Sequence, residues 1–201
     1  MKSRTYLALG DSYTIGECVS PEFSFPAQLV GALEKQGYQM DAPKIIATTG
    51  WTTDELMAGI ETEKPGSDYD LVSLLIGVNN QYRGYPQEQY LKEFRQLLEK
   101  AIGFAGGKSS LVFVVAIPDY GCTPFGREKA DQIFEELCWY NETGRSIAAE
   151  YGIAFCDIFP VSRLAAEQPG LTASDDLHPS AAMYSHWVEI ILPVAEQILA
   201  S

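Results

Sequence analysis

Basic charge is what this chain has least of. Against 27 acidic residues it sets 14 lysines and arginines, a net charge of -13. Such a surface repels phosphate backbones and anionic lipid headgroups, so nucleic acid is not expected as a partner and a neutral or zwitterionic ligand is. Long apolar runs are also missing. The amino-terminal stretch from Tyr6 to Leu9 is too short for a signal-peptide core, and no run approaches membrane-spanning length. No membrane insertion is expected, and the location expected is the cytoplasm. Cysteine is sparse: Cys18, Cys122, Cys138 and Cys156 form no C-x-x-C pair, and no histidine stands at zinc-ligand spacing from them. Neither a metal nor another cofactor is expected. Four free thiols suit a reducing compartment, with Cys156 read as a small buried hydrophobe.

What is present is the balance of a globular protein, 46% hydrophobic and 20% charged over 201 residues. That length suits one domain spanning 1–201 with a core that needs no disulfides. Five strand-like runs alternate with helix-like ones: Thr5 to Leu9, Lys44 to Ala47, Asp70 to Ile76, Leu111 to Ile117 and Ile153 to Asp157. The third and fourth are apolar on both faces, the signature of a central parallel strand. Helices are expected over about Ser24 to Gln36, Thr53 to Thr62, Gln87 to Phe104, Arg127 to Tyr151 and Ala181 to Leu199, the last kinked at Pro193. A loop is expected from Gly77 to Pro86. This order predicts an α/β protein, a parallel sheet with helices on both faces.

In such sheets ligands bind past the carboxyl ends of the strands, and chemically capable residues gather there. Gly10-Asp11-Ser12 follows the first strand, Gly50 the second, and Gly77-Val78-Asn79-Asn80 the third; Asp175-Asp176-Leu177-His178 precedes the last helix. Each piece alone reads as a turn or a helix cap. Together they supply what acyl transfer needs: a nucleophile, a base, a group that orients the base, and donors for an oxyanion. Ser12 is the nucleophile, and His178 accepts its proton while Asp175, three residues upstream, holds the imidazole. Asp176 points elsewhere. The oxyanion donors are the Ser12 and Gly50 backbone N–H groups and the Asn79 side-chain amide. Aromatics in the loops, Tyr13, Trp51, Tyr82, Tyr120 and Phe125, are candidates to line a substrate pocket.

These blocks resemble the SGNH hydrolases, also called GDSL-type esterases and lipases. The nucleophile block reads Ala8-Leu9-Gly10-Asp11-Ser12-Tyr13, with Tyr13 where the family name has leucine. The third block reads Gly77-Val78-Asn79-Asn80, with Asn80 in place of the usual aspartate, and the last reads Asp175-Asp176-Leu177-His178-Pro179. The resemblance runs from Leu9 to His178. It implies a three-layer, flavodoxin-like α/β/α fold on a five-stranded parallel sheet. It also implies Ser12, Gly50, Asn79 and His178 as signature residues, with Asp175 completing the triad. The expected activity is carboxylic ester hydrolysis on a small-molecule ester. Removal of acetyl groups from carbohydrate is a close alternative, and a non-catalytic flavodoxin-like binding protein is one from another class. Two decoys drop out. Gly107-Lys108-Ser109 lacks the glycine a phosphate loop needs at Ile102, and the turn at Ser12 lacks the closing glycine of a G-x-S-x-G elbow.

Overall fold

The structure is a computed structural model that describes residues 3–200. Five parallel strands form one sheet: β1 (Tyr6–Gly10), β2 (Lys44–Ala47), β3 (Leu71–Leu75), β4 (Val112–Val115) and β5 (Ala154–Cys156), in the order β2-β1-β3-β4-β5. Every residue of β1, β3 and β4 is buried, which explains why their sequences show no polar alternation. The helices are α1 (Ser12–Ile15), α2 (Phe25–Lys35), α3 (Thr53–Glu63), α4 (Val78–Tyr82), α5 (Gln87–Phe104), α6 (Ala130–Glu150), α7 (Phe159–Ser162) and α8 (Ala181–Ala200). α2 packs against α8, and α8 touches β3, β4 and β5. α3, α5 and α6 pack in succession and touch β2, β3 and β4–β5 respectively. The result is the three-layer α/β/α arrangement.

Two features differ from the sequence expectations. Residues 77–86 are not all loop: α4 begins directly after Gly77, so Asn79 and Asn80 sit in a helical first turn. Residues Arg127–Lys129 form a 3₁₀ turn, and α6 starts only at Ala130. Short helices of one turn carry too few residues for a 3.6 periodicity to register. α8 continues as one helix through Pro193.

Strand register positions the site. Gly10, the last residue of β1, pairs with Ala47 of β2 and Leu75 of β3. Three neighbouring strands therefore end at one level. Ser12, Gly50 and Asn79 lie two, three and four residues beyond that level, on adjacent chains.

Candidate active site

Ser12 opens α1, the single turn capped by Asp11, whose Oδ1 accepts from the Tyr13 N–H at 3.0 Å. Asp11 is fully buried and its Oδ2 finds no partner among the described residues. Burial, working against the hydrogen bond from Tyr13, pushes its carboxyl up to about 7.

His178 comes from the far end of the chain. Residues 171–180 fold back on themselves: Thr172 and Pro179 form an antiparallel bridge, Ala173 N–H donates to His178 O at 2.7 Å, and Ser180 N–H to Leu171 O at 2.9 Å. Within this lasso, Asp175 Oδ1 accepts from the backbone N–H groups of Leu177 and His178 at 3.1 and 3.0 Å. That leaves Oδ2 facing His178 Nδ1 at 2.5 Å, while Nε2 lies 2.9 Å from Ser12 Oγ. Partial burial raises the Asp175 pKa, but the three hydrogen bonds from His178 and Leu177 outweigh it and bring the carboxyl down to about 2. Asp176 takes φ 62° and offers its carbonyl to the Phe125 N–H at 3.0 Å, tying the lasso to the loop at 118–126. The imidazole is buried against the Tyr13 ring, 5.6 Å between centroids.

The Ser12 and Gly50 backbone N–H groups donate to no protein acceptor among the described residues. Gly50 takes φ +85°, a left-handed conformation that glycine adopts without strain. Its carbonyl is held by Arg83 Nη2, and Arg83 is itself paired with Glu55. Asn79 Nδ2 donates to Trp51 O at 2.9 Å. A primary amide has two hydrogens, and Asn79 lines the cavity with only one of them donated to a protein acceptor among the described residues.

Asn80, where the family pattern has aspartate, is fully buried behind Asn79. Its Oδ1 accepts from Thr53 N–H at 3.0 Å and its Nδ2 donates to Thr53 Oγ1 at 2.7 Å. Thr53 Oγ1 in turn donates to Glu93 at 2.5 Å. An aspartate at residue 80 would claim the threonine proton for itself. The amide instead leaves that proton to Glu93, so Asn80 and Glu93 form one matched set joining α4, α3 and α5.

Ser12, Gly50, Asn79 and His178 face a shared cavity of about 180 Å³, walled by Tyr13, Tyr82, Tyr120 and Phe125. Four of the five predicted aromatics thus line it. Trp51 does not: its indole lies over Gly59 on α3, where an added Cβ would come within 2.2 Å of the ring. Its carbonyl, not its ring, serves the site. Arg83, Thr49 and Leu177 were not legible as site residues. Arg83 acts on a backbone carbonyl of another loop, and no local pattern reports such a contact.

Behind the cavity wall, the loop after β4 is fixed by Asp119, which is buried. Its Oδ1 accepts from Gly121 N–H at 2.9 Å and its Oδ2 from Arg163 Nη1 at 2.7 Å. Cys122 donates its thiol to the same carboxylate, and burial followed by that negative charge pushes the thiol up to about 11.

No match was found among curated protein sequences. Among solved structures the chain is similar to TesA, at 20% identity over 98% of this chain and 100% of that one, TM-score 0.77. It is also similar to a lipolytic G-D-S-L family protein from Veillonella parvula, at 18% identity over 97% and 100%, TM-score 0.73. A third similar structure is an acetyl xylan esterase, Axe2, from Geobacillus stearothermophilus, at 22% identity over 97% of both chains, TM-score 0.65. At these identities the likeness speaks for the fold. The GDSL-like lipase/acylhydrolase family model matches residues 8–186, a span that takes in Ser12, Gly50, Asn79, Asp175 and His178, and the chain belongs to that family of ester hydrolases.

Proposed function

We propose that this protein is a serine esterase for short acyl esters, with Ser12 as nucleophile, His178 as general base and Asp175 as the group that orients and charges-stabilises the imidazole. Ser12 Oγ attacks the ester carbonyl as its proton passes to Nε2 of His178. The oxyanion meets the N–H groups of Ser12 and Gly50 and the free hydrogen of the Asn79 amide. Collapse expels the alcohol, protonated by His178, and water then releases the acid by the same steps in reverse order. The observation that carries this reading is the unbroken relay Asp175–His178–Ser12, 2.5 and 2.9 Å, opening on a cavity with unengaged donors. The cavity of about 180 Å³ falls below the roughly 300–1,000 Å³ of drug-sized pockets, which favours short acyl groups. p-Nitrophenyl acetate and butyrate should be hydrolysed, and a fluorophosphonate should label Ser12, located by mass spectrometry. Full activity in Ser12→Ala would dismiss the assignment.

A groove of about 490 Å³ supports a narrower reading, a carbohydrate deacetylase. It shares Tyr82, Tyr120 and Phe125 with the cavity, so an ester can lie across both. Its floor is a chain of hydroxyl-compatible groups: Tyr120 OH donates to Gln81, Gln81 to Glu136 at 2.5 Å, and Gln132 to Glu136 at 2.8 Å. Tyr82 and Phe125 are 61% and 50% exposed at the rim, placed to stack on a sugar face. Comparing acetylated xylooligosaccharide with lysophospholipid and acyl thioester separates these substrates. We read the partner as a small neutral ester and the location as cytoplasmic. The strong negative charge supports the first and the four free thiols support the second.

A further inference from the structure

Cys18 takes no part in the relay but stands beside it. It follows α1, adopts φ 62° and is exposed. Its Sγ, a carboxylate oxygen of Asp175 and a ring nitrogen of His178 all lie within 4.8 Å of one another. Among the described residues no other three His, Cys, Asp or Glu side chains come so close.

We propose that Cys18, Asp175 and His178 form a binding site for a thiophilic divalent cation, Zn²⁺ or Cd²⁺, and that its occupancy switches the esterase off. The switch rests on the reading of His178 as general base. A thiolate, an imidazole and a carboxylate are the donor set that borderline-soft cations take, and three protein ligands leave the fourth tetrahedral position to water. Bond lengths of about 2.0–2.3 Å put tetrahedral ligand atoms about 3.3–3.6 Å apart. The Asp175–His178 contact of 2.5 Å must open to that spacing, a small movement for a carboxylate on a loop. The exposed thiol gives a cation its way in, and the net charge of -13 raises the local cation concentration.

The chemistry balances simply. Cys18 releases its thiol proton to solvent as sulfur binds the cation. If Nε2 of His178 coordinates, the lone pair that would accept the serine proton is occupied. If Nδ1 coordinates, the ring proton moves to Nε2 and faces Ser12 as a donor. In both arrangements the imidazole cannot act as base, and the carboxylate that held it now faces the cation.

Titration of the reduced protein with Cd²⁺, followed by the ultraviolet thiolate-to-metal charge-transfer band, needs no substrate. One equivalent should produce the band, Cys18→Ser should abolish it, and His178→Ala should weaken binding by about tenfold or more. In p-nitrophenyl butyrate hydrolysis, Cys18→Ser should match the wild type without metal and need about tenfold more Zn²⁺ for half-inhibition, with chelator restoring the wild type. A band that survives in Cys18→Ser belongs to another cysteine and overturns the site. Equal Zn²⁺ sensitivity of the two proteins overturns the switch. A Cys18-dependent band in a protein without esterase activity would keep the metal site but remove the catalytic reading and the switch together.

Discussion

Replacing Asp175 with asparagine leaves the shape of the lasso in place and changes what faces the imidazole. The two oxygens of Asp175 have separate duties: Oδ1 accepts from two backbone N–H groups at 3.1 and 3.0 Å, and Oδ2 from His178 Nδ1 at 2.5 Å. Asparagine can serve only one of these well. With its oxygen on the backbone, its NH₂ faces Nδ1 as a donor. The ring proton is then forced onto Nε2, aimed at Ser12 Oγ, and no base remains. With the amide turned over, the oxygen can hold Nδ1–H. The NH₂ then confronts two backbone donors, and each donor left unmade costs about 1–3 kcal/mol.

The catalytically competent arrangement of the variant is therefore roughly 2–6 kcal/mol above the incompetent one. At about 1.4 kcal/mol per tenfold, kcat/KM for p-nitrophenyl butyrate should fall by roughly thirtyfold to more than ten-thousandfold. The rate of fluorophosphonate labelling of Ser12 should fall in parallel, because it needs the same deprotonation. Circular dichroism and the urea midpoint should show a folded protein, since the backbone contacts of residue 175 survive. A loss smaller than about tenfold, in a protein that stays folded, would refute both the tautomer argument and the place of Asp175 in the relay.

Further outcomes follow from the surrounding structure. Asp11 ionises at about 7 in the fold against an ordinary 3.8, so its contribution to stability is present below pH 4 and is lost as pH rises toward 7. Asp11→Asn keeps a cap acceptor and should raise the unfolding free energy from urea titration at pH 8 but not at pH 4, by up to about 4 kcal/mol; an unchanged pH dependence of that free energy would contradict this. Gly77 takes φ +127°, and a Cβ there would lie 2.6 Å from the Tyr90 ring. Gly77→Ala should cost roughly 2–4 kcal/mol in urea unfolding and lower kcat more than it raises KM, because α4 carries Asn79. Asn80→Asp should destabilise the protein by taking the Thr53 proton from Glu93, and adding Glu93→Gln should recover about 1 kcal/mol by restoring a donor, read from a double-mutant cycle of urea midpoints. Arg163→Met strands the Asp119 carboxylate, whose only cationic partner it is among the described residues, and should lower the unfolding free energy measured in urea; because Arg163 is itself half-exposed, the loss should be about 1–3 kcal/mol rather than that of a fully buried pair.

The sheet was legible because burial leaves a mark on every residue of a central strand: Leu71–Leu75 and Val112–Val115 carry no charge to interrupt them. The relay was legible for a different reason. Ser12 and His178 are 166 residues apart, yet each stands at a strand or lasso end whose own local hydrogen bonds aim it, so local sequence sufficed to nominate both. Asp175 was separable from Asp176 for the same reason, since a carboxylate three residues upstream can reach back while its neighbour takes up a left-handed turn.

The illegible parts are the contacts in which one loop serves another. Trp51 advertised an aromatic ring, and the fold uses its carbonyl; Arg83 advertised a surface charge, and the fold spends it on the carbonyl of Gly50. Both contacts fix Asn79 and Gly50 through backbone atoms, which every residue possesses and no side-chain pattern announces. Cys18 belongs with them. Counting spacings along the chain sets it far from any histidine, and only the return of the lasso over α1 places its sulfur beside His178. A site built at the level where several parallel strands end can be nominated from sequence in the groups that each loop supplies. It will be read incompletely in the groups by which one loop holds the next, since register, not sequence distance, decides which loops are neighbours.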